Sequence, residues 1–539
     1  MNTGNCVSCS VSSKKILPID ATKQLFLTMR KGNRLVESFT SAFSQPWAVA
    51  LVLVILSIWY FVGKSNDGRK RRQRRMSFTS QSMVMGIFPK KIQYPDCIIH
   101  GSIFFHDCPS KEAIAEFMVK PMLQYKRLSS IPDLHSSTMT RPCPPFAPMD
   151  LIRKITISGS DEATYEAIFQ RLHDPLREGR NDLPWWEILL IENDGAGQSA
   201  VVLRIHHSLG DGVSLVHVFE QMVTYQDGTS FKSMMTFSRQ IDESNGDLLE
   251  KVPSSSLLRK ALSFVNETFR VITLDKTPYD DGIAFVTSNH GNHIYTNNRS
   301  YVIFPTVDLK FIKQLKSAAN VTVNDILMAT VSQAIHDYCR EQGCPVLESK
   351  QKKLQCRALL PVALPRSSAE FDDSAQALRN AFAMVSTDMG VGCVDIMERL
   401  QHIHETTQEM KANPRAFMQL MIQNNVVPLL PLSMGQQTCY DIFTRHSLVF
   451  SNVPGPDKPC LLAGKVATGV QMFYANLIPQ IGLISYAGKV YGNMVLDTDV
   501  LADAQSLARL YAQALLELAD RLKVDAPYEL KTAAQKRGK

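Results

Sequence analysis

The sequence lacks the residue clusters on which metal and disulfide proteins are built. Its eleven cysteines include one CxxC, Cys6–Cys9, in a polar N-terminal tail, with no second pair and no histidine close by. That excludes a local zinc site, and an odd, scattered set does not make a disulfide framework. Reduced cysteines suit a main body in a reducing compartment. No Gly-rich phosphate loop stands out. Excess charge is also scarce: of the net +7, nearly all sits in Arg69, Lys70, Arg71, Arg72, Arg74 and Arg75. The remainder is near neutral, which argues against a nucleic-acid-binding body. What the chain does have is apolar residue, 45% over 539 positions. That is enough for large cores, and the length allows about two to four domains.

Charge is missing altogether between Glu37 and Lys64, and the most apolar part is "WAVALVLVILSIWYFVG", Trp47 to Gly63. That is about the minimum length for a helix to cross a hydrocarbon core, and Trp47, Trp59 and Tyr60 lie near its ends, where amphipathic aromatics favour the interface. The basic residues behind it do not resemble a signal-peptide cleavage site, and a core helix is not normally apolar on every side. The cluster from Arg69 to Arg75 outweighs Arg30, Lys31 and Arg34, so the positive-inside tendency puts the long C-terminal part in the cytosol. The same cations can attract anionic headgroups, at roughly 1 kcal/mol each near the surface.

From about Ser82 short strand-like runs alternate with helical patterns. "CIIHGSIFF", "LIRKITIS", "WEILLIE" and "SAVVLRIH" read as strands; "KEAIAEFMVKPMLQY", "EATYEAIFQRLHD" and "GVSLVHVFEQMVTY" read as helices. A polar stretch from Gly228 to Glu250 interrupts them. Behind it, Leu258, Ala261, Leu262, Val265, Phe269 and Ile272 mark one face of an amphipathic helix, suited to core packing or to a membrane interface. A second α/β block opens near Asn298 and closes with the helix "DAQSLARLYAQALLELADRL". The expected domains are a tail (1–45), a membrane helix (46–63), a basic linker (64–81), two α/β domains (82–297 and 298–526) and a basic tail (527–539).

The stretch "VVLRIHHSLGDGVSL", Val201 to Leu215, places two histidines where a strand meets a turn. Alternation puts Val201, Leu203, Ile205 and His207 on one face and Val202, Arg204 and His206 on the other. Gly210 and Gly212 are expected to let the backbone change direction sharply, and Asp211 stands at the entrance to the next helix. Three readings compete on these residues alone. His207 and Asp211 could hold a metal with a third ligand from elsewhere. Asp211 could be an N-cap with two ordinary polar histidines. Or His207 could be a general base, with Asp211 holding the turn or orienting it through an arginine.

Other segments shift that balance. "HHSLGDG" resembles the HHxxxDG signature of the bifunctional wax ester synthase/diacylglycerol acyltransferase family. That family belongs to the chloramphenicol-acetyltransferase-like, CoA-dependent superfamily. "LPWWE" resembles its PLW block, with Trp185 in place of leucine; "TVNDILMA" resembles its ND motif; "LLPVALPR" its P-V-S-L-R stretch, with Ala363 in place of serine. "FSNVPGP" and the closing hairpin from Gly482 are similar too, so the resemblance spans about Met83 to Val524.

The resemblance implies an α/β fold of two similar chloramphenicol-acetyltransferase-like domains, with the active site in a channel between them. It implies transfer of a fatty acyl group from acyl-CoA, a co-substrate, to diacylglycerol or a long-chain alcohol. His207 would be the general base, with His206, Asp211 and Gly212 completing the motif and Asn324, Asp325, Ser451 and Asn452 binding substrate or supporting the site. No bound cofactor and no metal is expected, and nucleic acid is not an expected partner. Membrane-soluble substrates agree with a tether, and the endoplasmic reticulum is the expected membrane, with a plastid envelope as the alternative. Two other functions stay open: a superfamily enzyme acting on another alcohol or amine, although the DFGWG motif of the plant BAHD enzymes is absent, and a non-catalytic tethered acyl-CoA or lipid binder.

Overall fold

Short apolar runs, several of them buried on both faces, give the chain its strands. In the computed structural model the described residues run from 76 to 535, apart from 134–137, 141–144, 180–181, 232–268, 287–291, 365, 367, 414, 500 and 502. The apolar run Trp47–Gly63, the basic cluster, the Cys6–Cys9 pair and most of the expected amphipathic helix around Leu258 lie outside them. Among the described residues no helix is long and apolar enough to cross a membrane.

The first half contributes β1 (Ile98–Phe105), β2 (Ile131–Asp133), β3 (Thr138–Thr140), β4 (Ile152–Ile157), β5 (Trp186–Asn193), β6 (Ser199–His206) and β7 (Val223–Tyr225). The second contributes β8 (Arg299–Asp308), β9 (Arg357–Ala363), β10 (Phe382–Asp388), β11 (Leu448–Val453), β12 (Cys460–Leu462), β13 (Lys465–Val466), β14 (Gly469–Tyr474), β15 (Gln480–Tyr486) and β16 (Lys489–Asp497). Among the described residues the main sheets have the orders β14-β1-β6-β5-β4 and β10-β9-β11-β15-β16-β8.

The halves interlock. Strand β14 leaves the second half to pair antiparallel with β1, Gly101 opposite Met472, and β12 pairs with β7. A boundary near residue 298 therefore marks a change of sheet, with strands crossing it. A shared apolar cluster sets Leu189 and Val202 together with Leu359, Val449 and Val495. On the second sheet, the helices Val323–Glu341 and Ser506–Leu522 fill the core, with Tyr511 stacked on Phe304 at 4.7 Å.

Three expected helices are cut short, among them "EATYEAIFQRLHD", which ends at Phe169. "GVSLVHVFEQMVTY" is helical only over Gly212–Glu220, because Val223–Tyr225 finds a strand partner in Cys460–Leu462; long-range pairing overrides the local period. "KEAIAEFMVKPMLQY" is split, with Ala115–Val119 wound as a π-helix just before the Lys120–Leu123 turn. Pro121 has no N–H to give to the α ladder, which is where such widening occurs.

Candidate active site

Strand β6 ends at His206, and the next three residues, His207–Leu209, form a 3-10 turn. Leu203, Ile205 and His207 all line one cavity, as strand alternation requires. His206 points the other way. It is buried, its Nδ1 accepts from the Ser208 amide at 3.2 Å and lies 2.8 Å from the Ser208 hydroxyl, and Trp185 meets its ring edge-on at 4.9 Å. The "LPWWE" block thus braces the turn: Trp186 is fully buried, its indole N–H donating to the Leu128 carbonyl at 2.8 Å, and Glu187 pairs with the buried Arg204.

The His207 ring sits between Phe382 and Tyr474, at 5.6 and 5.7 Å. Its Nδ1 is buried without a hydrogen bond, and the ring lines the cavity. Burial holds the ring's pKa below the usual histidine value, against the opposing pull of its own main chain, Asp211, Asn380 and Gly210. The ring is therefore an uncharged imidazole at neutral pH. Its main chain is pinned: the amide donates to the Cys97 carbonyl at 2.6 Å, and Asn380 Nδ2 donates to its carbonyl at 2.6 Å. Asn380 also donates to Ser80 at 3.0 Å, and Arg127 donates to Ser80 and to the Ser208 carbonyl.

Asp211 caps the Gly212–Glu220 helix, its Oδ1 accepting from the Ser214 amide and hydroxyl at 3.0 Å each. Its Oδ2 accepts from the Ala381 amide at 2.8 Å and from Arg366 Nη2. Arg366 also donates to Ser214 at 2.7 Å. Both carboxylate oxygens are thus engaged by donors, and the arginine that joins Asp211 to the site is Arg366, from "LLPVALPR". Among the described residues no group of three His, Cys, Asp or Glu side chains could hold a metal ion.

The two glycines do not act as expected. Gly210 is extended, at φ −175°, and Gly212 is simply the first helical residue, so neither needs a left-handed backbone. Gly210 is small because a Cβ there would lie 3.0 Å from Leu378 and 3.1 Å from Ser214. At Gly212 a Cβ would face Val453 at 3.9 Å, on the cavity wall.

The cavity encloses about 370 Å³ between the halves, within the range of about 300–1,000 Å³ usual for small-molecule sites. Its wall is mostly apolar, with β1, β6 and β14 on one side and Phe382, Met384 and Val449 on the other. Gly101 faces this space, and a Cβ there would meet nothing within 4 Å.

Ser451 and Asn452 line the cavity. Asn324 and Asp325 do not. Asn324 accepts from Asn452 Nδ2 at 3.4 Å and stands behind it. The cap of that helix is Thr322, in a reciprocal box with Asp325: Asp325 N donates to Thr322 Oγ1 at 3.2 Å, and Thr322 N to Asp325 Oδ2 at 2.9 Å. Fully buried, Asp325 also accepts from His404 and Thr407 at 2.8 Å each. Burial raises its pKa, yet these hydrogen bonds together hold it below the ordinary value. Asp325 ties its helix to the Ile396–Ala412 helix and does not line the cavity. Arg366, Asn380, Ser80 and Gly101 were not singled out from sequence; of these, only Arg366 lay in a recognised segment.

Fold and site define an α/β protein of two main sheets, with a histidine turn opening on an apolar cavity at the seam. A condensation domain of the calcium-dependent antibiotic synthetase superposes with a TM-score of 0.51 at 12% identity, over 86% of this chain and 99% of that one. The wax ester synthase/diacylglycerol acyltransferase from Marinobacter aquaeolei VT8 superposes with a TM-score of 0.54 at 17% identity, over 84% of this chain and 100% of that one. The family descriptions "Wax ester synthase/diacylglycerol acyltransferase catalytic domain" and "WS/DGAT C-terminal domain" match residues 160–327 and 378–519. The chain belongs to the wax ester synthase/diacylglycerol acyltransferase family, and it is an acyltransferase. It is 23% identical to the probable diacylglycerol O-acyltransferase tgs1 of Mycobacterium tuberculosis, over 67% of this chain and 76% of that one. It is 22% identical to wax ester synthase/diacylglycerol acyltransferase 4 of Arabidopsis thaliana, over 68% and 74%.

Proposed function

We propose that this protein moves a fatty acyl group from acyl-CoA to the hydroxyl of diacylglycerol, of a long-chain alcohol, or of both. The observation that carries the reading is His207, an uncharged imidazole lining a largely apolar cavity between the halves. An alcohol is a poor nucleophile because its proton is hard to remove. His207 Nε2 takes that proton as the oxygen attacks the thioester carbon. The tetrahedral intermediate then breaks its C–S bond, and the proton passes to the leaving thiolate, so the ring returns to its neutral form. No acyl-enzyme is needed, because both substrates share one cavity and proximity supplies much of the rate. The oxyanion needs a donor. Asn452, on the cavity wall with Asn324 behind it, takes that role in this reading.

Two apolar substrates suit an enzyme held at a bilayer. In this reading Trp47–Gly63 spans the membrane, the catalytic part lies on the cytosolic side, and the membrane is the endoplasmic reticulum. No bound cofactor or metal is needed for the chemistry described.

The test incubates membranes bearing the protein with labelled palmitoyl-CoA, diacylglycerol and hexadecanol, and separates the neutral lipids. Labelled triacylglycerol, wax ester or both is the expected result, and their ratio ranks the acceptors. CoA release only with another alcohol or an amine would overturn the lipid assignment. Acyl-CoA binding with no turnover would make the protein a binder.

A further inference from the structure

From Ala416 to Tyr440 the sequence contains no Asp, Glu, Lys, Arg or His. Within this stretch the Val427–Leu429 turn and the start of the Leu432–Thr444 helix bring Pro428 to Met434 to the surface, every one of them exposed. Leu429 is 80% exposed, Leu430 42%, Leu432 40% and Met434 52%. Large apolar side chains grouped on a surface mark a partner or a membrane.

The position of this loop selects the membrane. It packs beside the Phe78–Met85 helix: Gln436 Nε2 donates to the Gly86 carbonyl at 2.9 Å, and Gln423 Nε2 to Thr79 Oγ1 at 2.9 Å. A Cβ on Gly435 would lie 3.4 Å from Val427 and 3.7 Å from Phe78. The described chain begins at Met76, directly after the cations Arg69 to Arg75 and thirteen residues beyond Gly63, the end of the apolar run. A chain of that length reaches at most about 45 Å. A span ending at Gly63 would tether the start of the Phe78–Met85 helix within that distance of the bilayer, and the cations that intervene in the sequence would meet anionic headgroups. Lys90 and Lys91, just beyond the helix, are exposed as well.

We propose that Pro428–Met434 is a second membrane contact, seated at the boundary of headgroups and acyl chains. The proposal rests on the reading of the chain as a tethered lipid acyltransferase. Thr79, Ser82 and Met83, with Gln423, Cys439 and Phe443 on the helices flanking the loop, line the cavity. Docking through this loop turns that end of the cavity to the bilayer, so that acyl chains enter from lipid without crossing water.

The test places the photo-crosslinking residue p-benzoylphenylalanine at Leu429, at Leu432 and, as a control, at the exposed Val394, each in the full chain in phosphatidylcholine/phosphatidylserine vesicles. Adducts with lipid acyl chains at 429 and 432, several-fold above 394, are expected. Yields no higher than at 394 would overturn the proposal, as would adducts to a second copy or to another protein in place of lipid. A second arm combines Leu429→Glu with Leu430→Glu, which touches no buried position. Turnover of bilayer-borne diacylglycerol should fall several-fold, while a dispersible short-chain acceptor is used as before. Equal turnover of bilayer-borne diacylglycerol by this variant and the wild type would overturn the cavity-entry role. Lipid adducts at 429 without turnover of any acceptor would support the contact while removing the acyl-transfer reading.

Discussion

Arg366 and Asp211, which come from opposite halves of the chain, form a buried ion pair beside the histidine turn. The pair fastens the cap of the Gly212–Glu220 helix to the 379–381 segment, whose Asn380 in turn holds the His207 carbonyl. The histidine is thus positioned by both halves at once.

Removing one member of such a pair strands the other charge, at about 3–5 kcal/mol. Asp211→Asn keeps an N-cap acceptor, so its expected cost comes from the unpaired Arg366. Chemical unfolding should show a loss of that order, with acyl transfer falling alongside. Asp211→Asn combined with Arg366→Met should cost less than the sum of the single changes, and simple additivity would show that the pair is not coupled.

Asn380 is a positioning residue with a pH signature. It favours the charged form of His207 while burial opposes it. A base whose pKa lies below the usual value of about 6.5 stays neutral at pH 7 and loses activity only as acid takes it below that value. Asn380→Ala should lower kcat and move the acid limb of kcat/KM to still lower pH. Asn380→Asp, which sets a carboxylate there, should move it upward. A limb that stays put in both variants would assign Asn380 to scaffolding alone.

Gly101 leaves room in the cavity floor opposite Leu203 and Met472. Leucine at this place occupies volume that an acyl chain would fill, and each excluded methylene is worth about 1–3 kcal/mol in discrimination. Gly101→Leu should depress transfer from palmitoyl-CoA far more than from octanoyl-CoA. Equal losses on the two donors would place the chain elsewhere.

How far the sequence reveals this arrangement depends on how local each signal is. The Val201, Leu203 and Ile205 face is the more consistently apolar of the two, so β6 and the inward direction of His207 are readable from periodicity. Thr322 and Asp325 carry the T-x-x-D spacing of a helix start, yet family likeness draws attention to Asp325, with Asn324, as a site residue. Only the packed structure shows Asp325 spending its oxygens on Thr322, His404 and Thr407. Strand β14 is six residues long, and its partner β1 lies more than 360 positions earlier; no local pattern announces that pairing. For the same reason Asn380 and Ser80, 300 residues apart, have no joint signature in the sequence. The close approach at Gly210 is likewise set by Leu378, a residue that only tertiary packing brings near.

The most direct test of the account is the rate of CoA release by His207→Gln against the wild type, at pH 8 with palmitoyl-CoA and diacylglycerol. Glutamine keeps a polar side chain at the cavity wall but cannot accept the alcohol's proton. General-base catalysis contributes about 10²–10⁴-fold, so a loss of that size, with thermal unfolding unchanged, is the predicted result. A folded His207→Gln protein that still turns over near the wild-type rate would contradict the assignment of His207 as the base.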